Sequence, residues 1–563
     1  RGKYLMKRVN LITLSLIASA NLYGAQTPNI GTVLKEVKPP KVEKKKEVLP
    51  PLQKEDKEYK KVLKGGKKVF IRKIIITGAE HLSNKELKNI VKPYEEKKLS
   101  FNDMQKIANL ISKAYRDEGY FVARAYIPMQ NLQEQNRVLK IAVIEGEYGE
   151  FKLENSSFVK DSILQANLDE IKKSKVVSTK SLERGLLIIN DTPGVSIKST
   201  KITAGKEVGR SDFIIGTKAD DRINGYVIAD NYGSQYTGKH RVMVGVDVNS
   251  PFKIGDKLSI SGLSSQDAGL LNGRFAYGFL IHPNGLRGEV SYSKTTYELG
   301  STYKDLDALG YADSYVAKIS YPYIRSNNEN LEAYLTTSYN KMSDEIQATS
   351  TKIKKNTLTA KVGLEYLKYT VIYDKYTQIK ITPSLTIGRL SFENDIDKQN
   401  DENGANTNGN FSKVNLDLES NIIFNKKLRW KNTVQLQYAL GDKNLDGSED
   451  MSIGGVGGVK FYPDAEESAE NGYIFNTELI YSLPGYKEFN SQVGVFYDIG
   501  HVYMSKNTTN EDSRVLQDVG ISYYATYKSF FMNAYLAYRV NNVHVTSEDD
   551  YCSRFMFQGG WMF

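Results

Sequence analysis

The sequence predicts an all-β transmembrane barrel of about 16 antiparallel strands, preceded by two small α+β modules. The 563 residues include 38 tyrosines and 21 phenylalanines. Yet after the first 25 residues no stretch is apolar over the roughly 18 residues that a membrane helix needs. Abundant aromatics without long apolar runs are typical of strands that face lipid on one side and water on the other. A large soluble β protein is the alternative.

Two-residue alternation begins near Arg222 and continues to the C-terminus. In LRWKNTVQLQYAL, one face carries Trp430, Val434, Leu436 and Tyr438, and the other face is polar. Such strands suit a barrel with lipid outside and a wet lumen inside. We predict the barrel over residues 222–563, with strands that begin near 222, 239, 257, 271, 286, 312, 330, 357, 379, 412, 428, 472, 489, 514, 529 and 551.

The last predicted strand, RFMFQGGWMF, ends the chain on an aromatic residue. Its apolar face includes Trp561 and Phe563. Many outer-membrane barrels end in this way, and the barrel-assembly machinery reads that ending. We therefore assign Trp561 and Phe563 as a C-terminal barrel signal, with an ordinary buried terminal strand as the alternative.

The N-terminal stretch MKRVNLITLSLIASANLYGA has a basic start, a short apolar core and a small-residue end. This pattern predicts a secretory signal peptide over residues 1–25. Residues 26–69 are rich in Lys and Pro and are predicted to be a linker, with IGTVLKEV as a possible short plug helix.

Two segments that precede the barrel share one order of predicted elements, β-α-α-β-β. The first covers residues 70–146, where Ser83 and Ser100 each open a helix with a capping box. The second covers residues 147–218. A small sheet on two helices leaves an edge strand that an extended peptide could extend by backbone hydrogen bonds. A plain spacer is the alternative.

Composition argues against several function classes. The net charge is +10, but residues 26–68 alone hold 13 Lys against 6 acidic residues. Because most of the positive charge lies in this predicted linker and not on a folded face, we expect no nucleic-acid partner. One cysteine excludes an internal disulfide, and the five histidines lack metal-ligand spacing. No arrangement of catalytic residues is evident, so we expect no enzyme activity, cofactor or metal.

The glycine-rich stretch GGVGGVKFYP at 454–463 does not fit a nucleotide site. A P-loop needs Gly before the Lys and Ser or Thr after it, whereas Val459 and Phe461 flank Lys460. The stretch lies between the eleventh and twelfth predicted strands, in a long loop. The same loop contains DKNLDGSED, which resembles the opening of a calcium loop but has Ile453 where the last ligand should be Glu.

The segment IGGVGGVKFYPDAEESAENGYIFNTELIYSLP resembles the sixth barrel loop of two-partner secretion transporters, the haemolysin secretion and activation family. The matching positions are Gly454, Gly455, Val459, Tyr462, Pro463, Gly472, Glu478 and Leu479. FYDIG at 496–500 resembles the family's Phe-x-Asp-x-Gly strand motif, with Phe496, Asp498 and Gly500. The two N-terminal modules resemble its POTRA (polypeptide-transport-associated) modules.

The resemblance implies that the loop folds back into the lumen and is locked there by an ion pair. In the family an Arg of the loop pairs with the motif Asp; here the pair becomes Lys460 with Asp498. Since Lys presents a point charge rather than a planar fork, we expect a looser lock than Arg gives. A mobile outer loop without lumenal contacts is the alternative.

The resemblance also implies a function. Such a protein lies in the outer membrane of a Gram-negative bacterium, with POTRA modules in the periplasm, and exports a large exoprotein of the haemolysin or adhesin type. The exoprotein would dock through its N-terminal secretion domain, and outer-membrane lipid and the barrel-assembly machinery would be further partners. The alternatives are a barrel-assembly factor of the same superfamily, a passive porin, and an enzyme with a barrel anchor.

Overall fold

The structure, a computed structural model, describes most of the chain, namely residues 28–37, 49–54, 68–464, 466–504 and 513–563. The predicted signal peptide and much of the predicted linker lie outside these ranges. No helix within them has the length and apolarity to cross a membrane.

Two short elements come from the segment predicted as a linker. Helix α1 covers Ile30–Glu36, and Asn29 caps its N-terminus by accepting hydrogen bonds from the backbone N–H groups of Gly31 and Thr32. Strand β1 covers Gln53–Lys54. Helix α1 coincides with IGTVLKEV, the segment predicted as a possible short helix, whereas strand β1 was not predicted and pairs with the second module.

The first module contains five strands and two helices. They are β2 Val69–Ile71, β3 Lys73–Thr77, α2 Asn84–Val91, β4 Lys97–Leu99, α3 Phe101–Asp117, β5 Arg124–Tyr126 and β6 Val138–Ile144. The sheet order is β3-β6-β5, and β2 pairs separately with β4. The capping boxes at Ser83 and Ser100 are confirmed. The predicted single first strand is divided at Arg72, whose N–H donates to the Arg137 carbonyl.

The second module has the same helix-on-sheet arrangement. Its elements are β7 Glu147–Glu154, α4 Asp161–Lys172, α5 Thr179–Asn190, β8 Ser196–Ala204 and β9 Arg210–Lys218. The sheet order is β1-β8-β9-β7, so the linker strand β1 lies at one edge. Helices α4 and α5 cover the sheet through a core that includes Leu164, Leu168, Leu186 and Phe213.

Sixteen antiparallel strands then form a closed barrel, as predicted. They are β10 Ile223–Asp230, β11 Arg241–Asn249, β12 Lys257–Ser265, β13 Leu270–His282, β14 Leu286–Glu298, β15 Ala308–Arg325, β16 Glu329–Ile346, β17 Thr351–Ile372, β18 Lys375–Phe392, β19 Gly409–Ile423, β20 Leu428–Leu440, β23 Asn471–Ser482, β24 Phe489–Tyr503, β25 Val515–Tyr527, β26 Phe530–Arg539 and β27 Ser553–Met562. Two short strands, β21 Met451–Ser452 and β22 Ser468–Ala469, lie in the loop before β23, and helix α6, Asp395–Asn403, lies in the loop before β19. The largest error is at β17, predicted near 357, because its first residues are mostly polar and give no alternation signal.

The barrel closes between its first and last strands, β10 and β27. Tyr226 is opposite Met562, and Asp230 is opposite Gln558. Beyond the ladder, the N–H and C=O of Phe563 bond to the C=O and N–H of Gly225. A side chain at Gly225 would collide with the Phe563 ring. The terminal aromatic therefore takes part in the closure itself.

The second module is attached to the turns at one end of the barrel, which fixes the orientation. Arg184 donates to the carbonyls of Asn284 and Pro322, at 3.0 Å each. Arg325 binds the carboxylate of Asp191 with two nitrogens, at 2.6 and 2.7 Å. The long loops therefore lie at the opposite end from the modules. We refer to the two ends as the module end and the loop end.

Candidate functional site

The lumen is obstructed by the loop between β20 and β23, residues 441–470, which we name the inward loop. It leaves the loop end of the barrel and turns back inside. Gln435 and Asn476, on the inner faces of β20 and β23, donate to the carbonyls of Gly457 and Gly458 at 2.9 and 2.7 Å. The alternative of an outer loop without lumenal contacts is wrong.

The tip of the inward loop is GGVGGVKFYP, and its glycines make a narrow hairpin possible. The Gly455 N–H donates to the Tyr462 carbonyl at 2.8 Å, and the Val459 N–H donates to the Ile453 carbonyl at 2.7 Å. Gly455 has φ +77°, which favours glycine. A Cβ at Gly454 would collide with the Pro463 carbonyl. Close backbone approach therefore requires glycine at 454, and at 458, where a Cβ would collide with the Ile453 carbonyl, whereas Gly457 has open space around it.

Lys460 anchors this tip to the barrel wall. Its Nζ lies 2.8 Å from Oδ2 of Asp498 on β24, and the Asp498 side chain is fully buried. Asn476 donates to the other carboxylate oxygen at 2.9 Å. The ammonium also lies 4.3 Å from the ring centroid of Phe496. A buried ammonium requires this kind of pairing, and the aromatic face adds a cation–π attraction.

A second buried aspartate, Asp518 on β25, was missed by the sequence reasoning. It lies directly opposite Asp498 in the register of β24 and β25, and it accepts a hydrogen bond from the backbone N–H of Phe461. Its Oδ1 has no hydrogen-bond partner among the described residues. A signal existed, because Asp-Val-Gly at 518–520 repeats the Asp-Ile-Gly at 498–500. One ammonium thus faces two carboxylates.

The aromatic pair at the tip, Phe461 and Tyr462, is fully buried beneath the loop between β26 and β27, residues 540–552. The Tyr462 hydroxyl donates to the Val543 carbonyl at 2.8 Å, and the Tyr551 hydroxyl donates to the Phe461 carbonyl at 3.1 Å. Hydrogen bonds from His544 first, and then from Val545 in the same covering loop and Arg539 at the end of β26, outweigh burial and lower the pKa of Asp550 to about 2. That carboxylate stays ionised and ties the covering loop together.

The other predicted site residues surround the same hairpin or lie at the barrel seam. Gly500 packs against Ile453 and Val459, where a side chain would be crowded. Glu478, on β23, accepts hydrogen bonds from the hydroxyls of Ser522 and Tyr524. Trp561 and Phe563 lie at the seam of the barrel instead, with ring centroids 4.5 Å apart, far along the chain from the tip.

Helix α1 is the second obstruction, and it lies inside the barrel toward the loop end. Ile30 and Val33 are buried against inner-wall residues such as Met243 and Ala312. The Ile30 N–H donates to Asp344 Oδ1 on β16 at 2.7 Å. At the other end of the helix, the Glu36 carboxylate accepts from the Thr237 hydroxyl at 2.8 Å.

Arg241 holds the C-terminus of this helix. Its Nε and Nη2 bind the two oxygens of Asp230 at 2.9 and 3.2 Å, and its Nη1 donates to the Glu36 carbonyl at 2.9 Å. Arg241 and Asp230 are both buried. The guanidinium therefore satisfies one of the free carbonyls that every helix C-terminus leaves.

The segment DKNLDGSED, which resembles the opening of a calcium loop, packs against helix α1. A Cβ at Gly31 would collide with the backbone of Ser448. Asp446 is paired with Lys355 at 2.6 Å, and both are buried. No cluster of metal-ligating residues exists within the part of the chain that the structure describes.

Comparisons with known proteins agree with this architecture. The family model "Haemolysin secretion/activation protein ShlB/FhaC/HecB" matches residues 209–523, and "POTRA domain, ShlB-type" matches residues 69–146. The heme/hemopexin transporter protein HuxB of Haemophilus influenzae (strain 86-028NP) is 30% identical over 441 residues, which cover 77% of each protein.

Two solved structures share the fold. CdiB from Escherichia coli superposes with a TM-score of 0.73 at 18% identity, over 89% of this chain and 92% of that chain. CdiB from Acinetobacter baumannii gives a TM-score of 0.64 at 16% identity, over 100% and 98% of the two chains. The chain belongs to the haemolysin secretion/activation family, and it is an outer-membrane transporter of two-partner secretion that exports a cognate exoprotein to the cell surface.

Proposed function

We propose that the cognate exoprotein is a large protein of the haemolysin or adhesin type, and that its N-terminal secretion domain docks on the two modules before the chain threads the barrel. The observation that carries this proposal is a wide barrel with a filled lumen next to modules with sheet edges. Barrels of 16 strands enclose an aqueous channel when their interior is empty. Here a loop and a helix fill it, as a channel that opens on demand requires.

Module 1 supplies docking features of the kind that strand addition uses. Strand β5 is a sheet edge of three residues that ends on the exposed Tyr126, and the exposed Met129 follows it. Backbone groups at such an edge give affinity, and neighbouring side chains give specificity. We propose that the secretion domain of the exoprotein binds here in extended form.

We propose the following division of labour along the chain. Residues 1–25 direct secretion, 26–69 link a lumenal plug to the modules, 70–146 and 147–218 are POTRA 1 and POTRA 2, and 222–563 form the pore. Lys460 and Asp498 hold the inward loop in the resting state, aided by Gly454, Gly455, Val459, Tyr462 and Pro463 in the tip and by Phe496 and Gly500 on the wall.

Two further partners follow from the outer surface of the barrel. Its outward side chains are apolar and exposed, among them Val244, Ile260, Phe275 and Val495, as contact with outer-membrane lipid requires. The terminal Trp561 and Phe563 lie at the closing seam, where the barrel-assembly machinery would act during biogenesis.

The likeness to HuxB adds a heme- or hemopexin-related exoprotein as a specific candidate for the cargo.

The deciding experiment deletes the gene and compares the culture supernatant and the outer-membrane proteome with the parent strain. We expect one large exoprotein to disappear from the outside while other barrels keep their levels. A joint fall of many barrels would contradict the proposal and favour a barrel-assembly factor.

A further inference from the structure

The outer edge of the second module is covered by the protein's own linker. Strand β1 pairs in parallel with β8, with Gln53 opposite Lys201 and Lys54 opposite Ile202. Just before it, Leu49 and Leu52 pack against the core of the module. They flank Pro50 and Pro51, and an extended proline helix with three residues per turn places both leucines on one face.

The opposite edge of the same sheet is protected in another way. Strand β7 has an irregular register against β9 between Tyr148 and Phe151, and Glu150 is paired with Lys206 at 3.0 Å. Bulges and charged side chains are common devices against strand addition. Within the described ranges, the linker strand β1 is the one element paired with the free edge of β8.

That cover is short. Strand β8 runs from Ser196 to Ala204, but among the described residues β1 pairs with it only at Lys201 and Ile202. The prolines before β1 have no N–H to donate, so they cannot extend the ladder. A longer extended peptide can therefore form more hydrogen bonds with β8 than the linker does.

The same linker also leads to the lumenal helix. While β1 is paired, residues 37–48 join helix α1 to the second module. When β1 is released, residues 37–68 join α1 to the next strand, β2. Release of β1 thus lengthens the chain that connects the helix to the modules. Exposure of the β8 edge and a longer connection to α1 therefore occur together, because β1 lies between α1 and β2 along the chain.

We infer that residues 49–54 are an internal strand that a second extended segment of the exoprotein, other than the one that binds β5, displaces from β8, and that this displacement frees helix α1 to leave the lumen. The inference rests on the proposed docking of the exoprotein on the modules. The fitting segment is extended and parallel to β8, and it carries two apolar residues for the positions of Leu49 and Leu52. Docking and unplugging then become one event.

A reversible cross-link tests the inference in the full-length protein. Gln53→Cys with Lys201→Cys, in a Cys552→Ser background, places two cysteines directly opposite each other on exposed positions of β1 and β8. The matched control, Glu147→Cys with Arg210→Cys, joins the parallel pair β7 and β9 and leaves β8 untouched. Export by the parent protein is measured first, because it tests the proposed function independently.

We expect oxidation of the Gln53/Lys201 variant to lower export at least about tenfold, because the edge stays covered, and reduction to restore it. The control variant should export equally in both states. Recovery on reduction also shows that the variant is folded. Equal export by the oxidised and reduced Gln53/Lys201 variant would overturn the inference without affecting the proposed function.

A second readout uses purified protein in planar bilayers, with a synthetic peptide of the sequence EVLPPLQKED, residues 47–56, as the probe. The peptide should raise the frequency of channel opening by competing with the linker strand. It should have no effect on the oxidised variant. Opening of the oxidised variant by the peptide would contradict displacement of β1 from β8.

Discussion

The inward loop and helix α1 fill the same lumen, but they are held in different ways. The loop is covalently anchored at both ends, and its tip is fixed by a buried ion pair and several backbone hydrogen bonds. Helix α1 has seven residues, and the segment that follows it leads to the modules rather than back into the barrel wall. The difference suggests that the helix is the part that departs completely, whereas the loop can only shift.

Removal of the helix should give the largest effect on the closed state. We expect deletion of residues 28–37 to raise the resting conductance in planar bilayers severalfold, because the part of the lumen that α1 occupies then fills with water. The control is deletion of the exposed helix α6, none of whose residues is buried. Unchanged conductance after deletion of 28–37 would show that the inward loop alone closes the pore.

Loss of the lysine should be the most damaging single change at the loop. Lys460→Met leaves Asp498 and Asp518 buried together without a cation, and breaking a buried pair costs about 3–5 kcal/mol. We expect the tip to leave its seat, which limited proteolysis of the inward loop would detect. Lys487→Met, in the exposed turn before β24, is the matched control.

The double variant Lys460→Met with Asp498→Asn sharpens this result. It removes one of the two buried carboxylates that Lys460→Met leaves without a cation, so part of the lost resistance to proteolysis should return. If the double variant is cleaved as fast as Lys460→Met, Asp518 rather than Asp498 is the main partner of the lysine.

An intermediate effect is expected at the helix C-terminus. Arg241→Lys replaces a fork that binds Asp230 and the Glu36 carbonyl with a single ammonium, and each hydrogen bond to a charged group is worth about 1.5–3 kcal/mol. We expect more frequent channel openings, but a smaller change than deletion of the helix gives. Combined with deletion of residues 28–37, the substitution should add nothing. An additive increase would mean that Arg241 supports the barrel wall rather than the helix.

The smallest effect is expected from Lys460→Arg. A planar fork can bind Asp498 and remain near Asp518, so we expect a gain in the free energy of unfolding of no more than about 1 kcal/mol, with export retained. The thermal unfolding midpoint measures the change. A large loss of stability would mean that the space above Phe496 is shaped for lysine alone.

Alternation made the barrel predictable, because a strand between lipid and water must repeat every two residues. All sixteen strands were found from that pattern, and most starts were placed within two residues. The capping boxes at Ser83 and Ser100 are equally local signals, since side chain and backbone partners lie three residues apart. Both kinds of prediction need only neighbours along the chain.

The contacts inside the lumen could not be found in this way. Asp518 became relevant only through the register that sets it opposite Asp498, and Arg241 only through a helix more than two hundred residues earlier. The LPPL segment was interpreted as linker because its composition is unfit for a core of its own. It packs instead on a core that other residues build.

The sequence by itself determined the class of the protein: a strand pattern for the barrel, a basic and apolar N-terminal stretch, and the loop motif around Lys460. Only the tertiary structure decided what occupies the lumen and the module edge, namely α1 beside the inward loop, and β1 on β8. The physical reason is that the residues of an alternating strand themselves show which side faces lipid and which side faces the lumen. A short plug or edge strand acquires its role only from surfaces that distant parts of the chain provide.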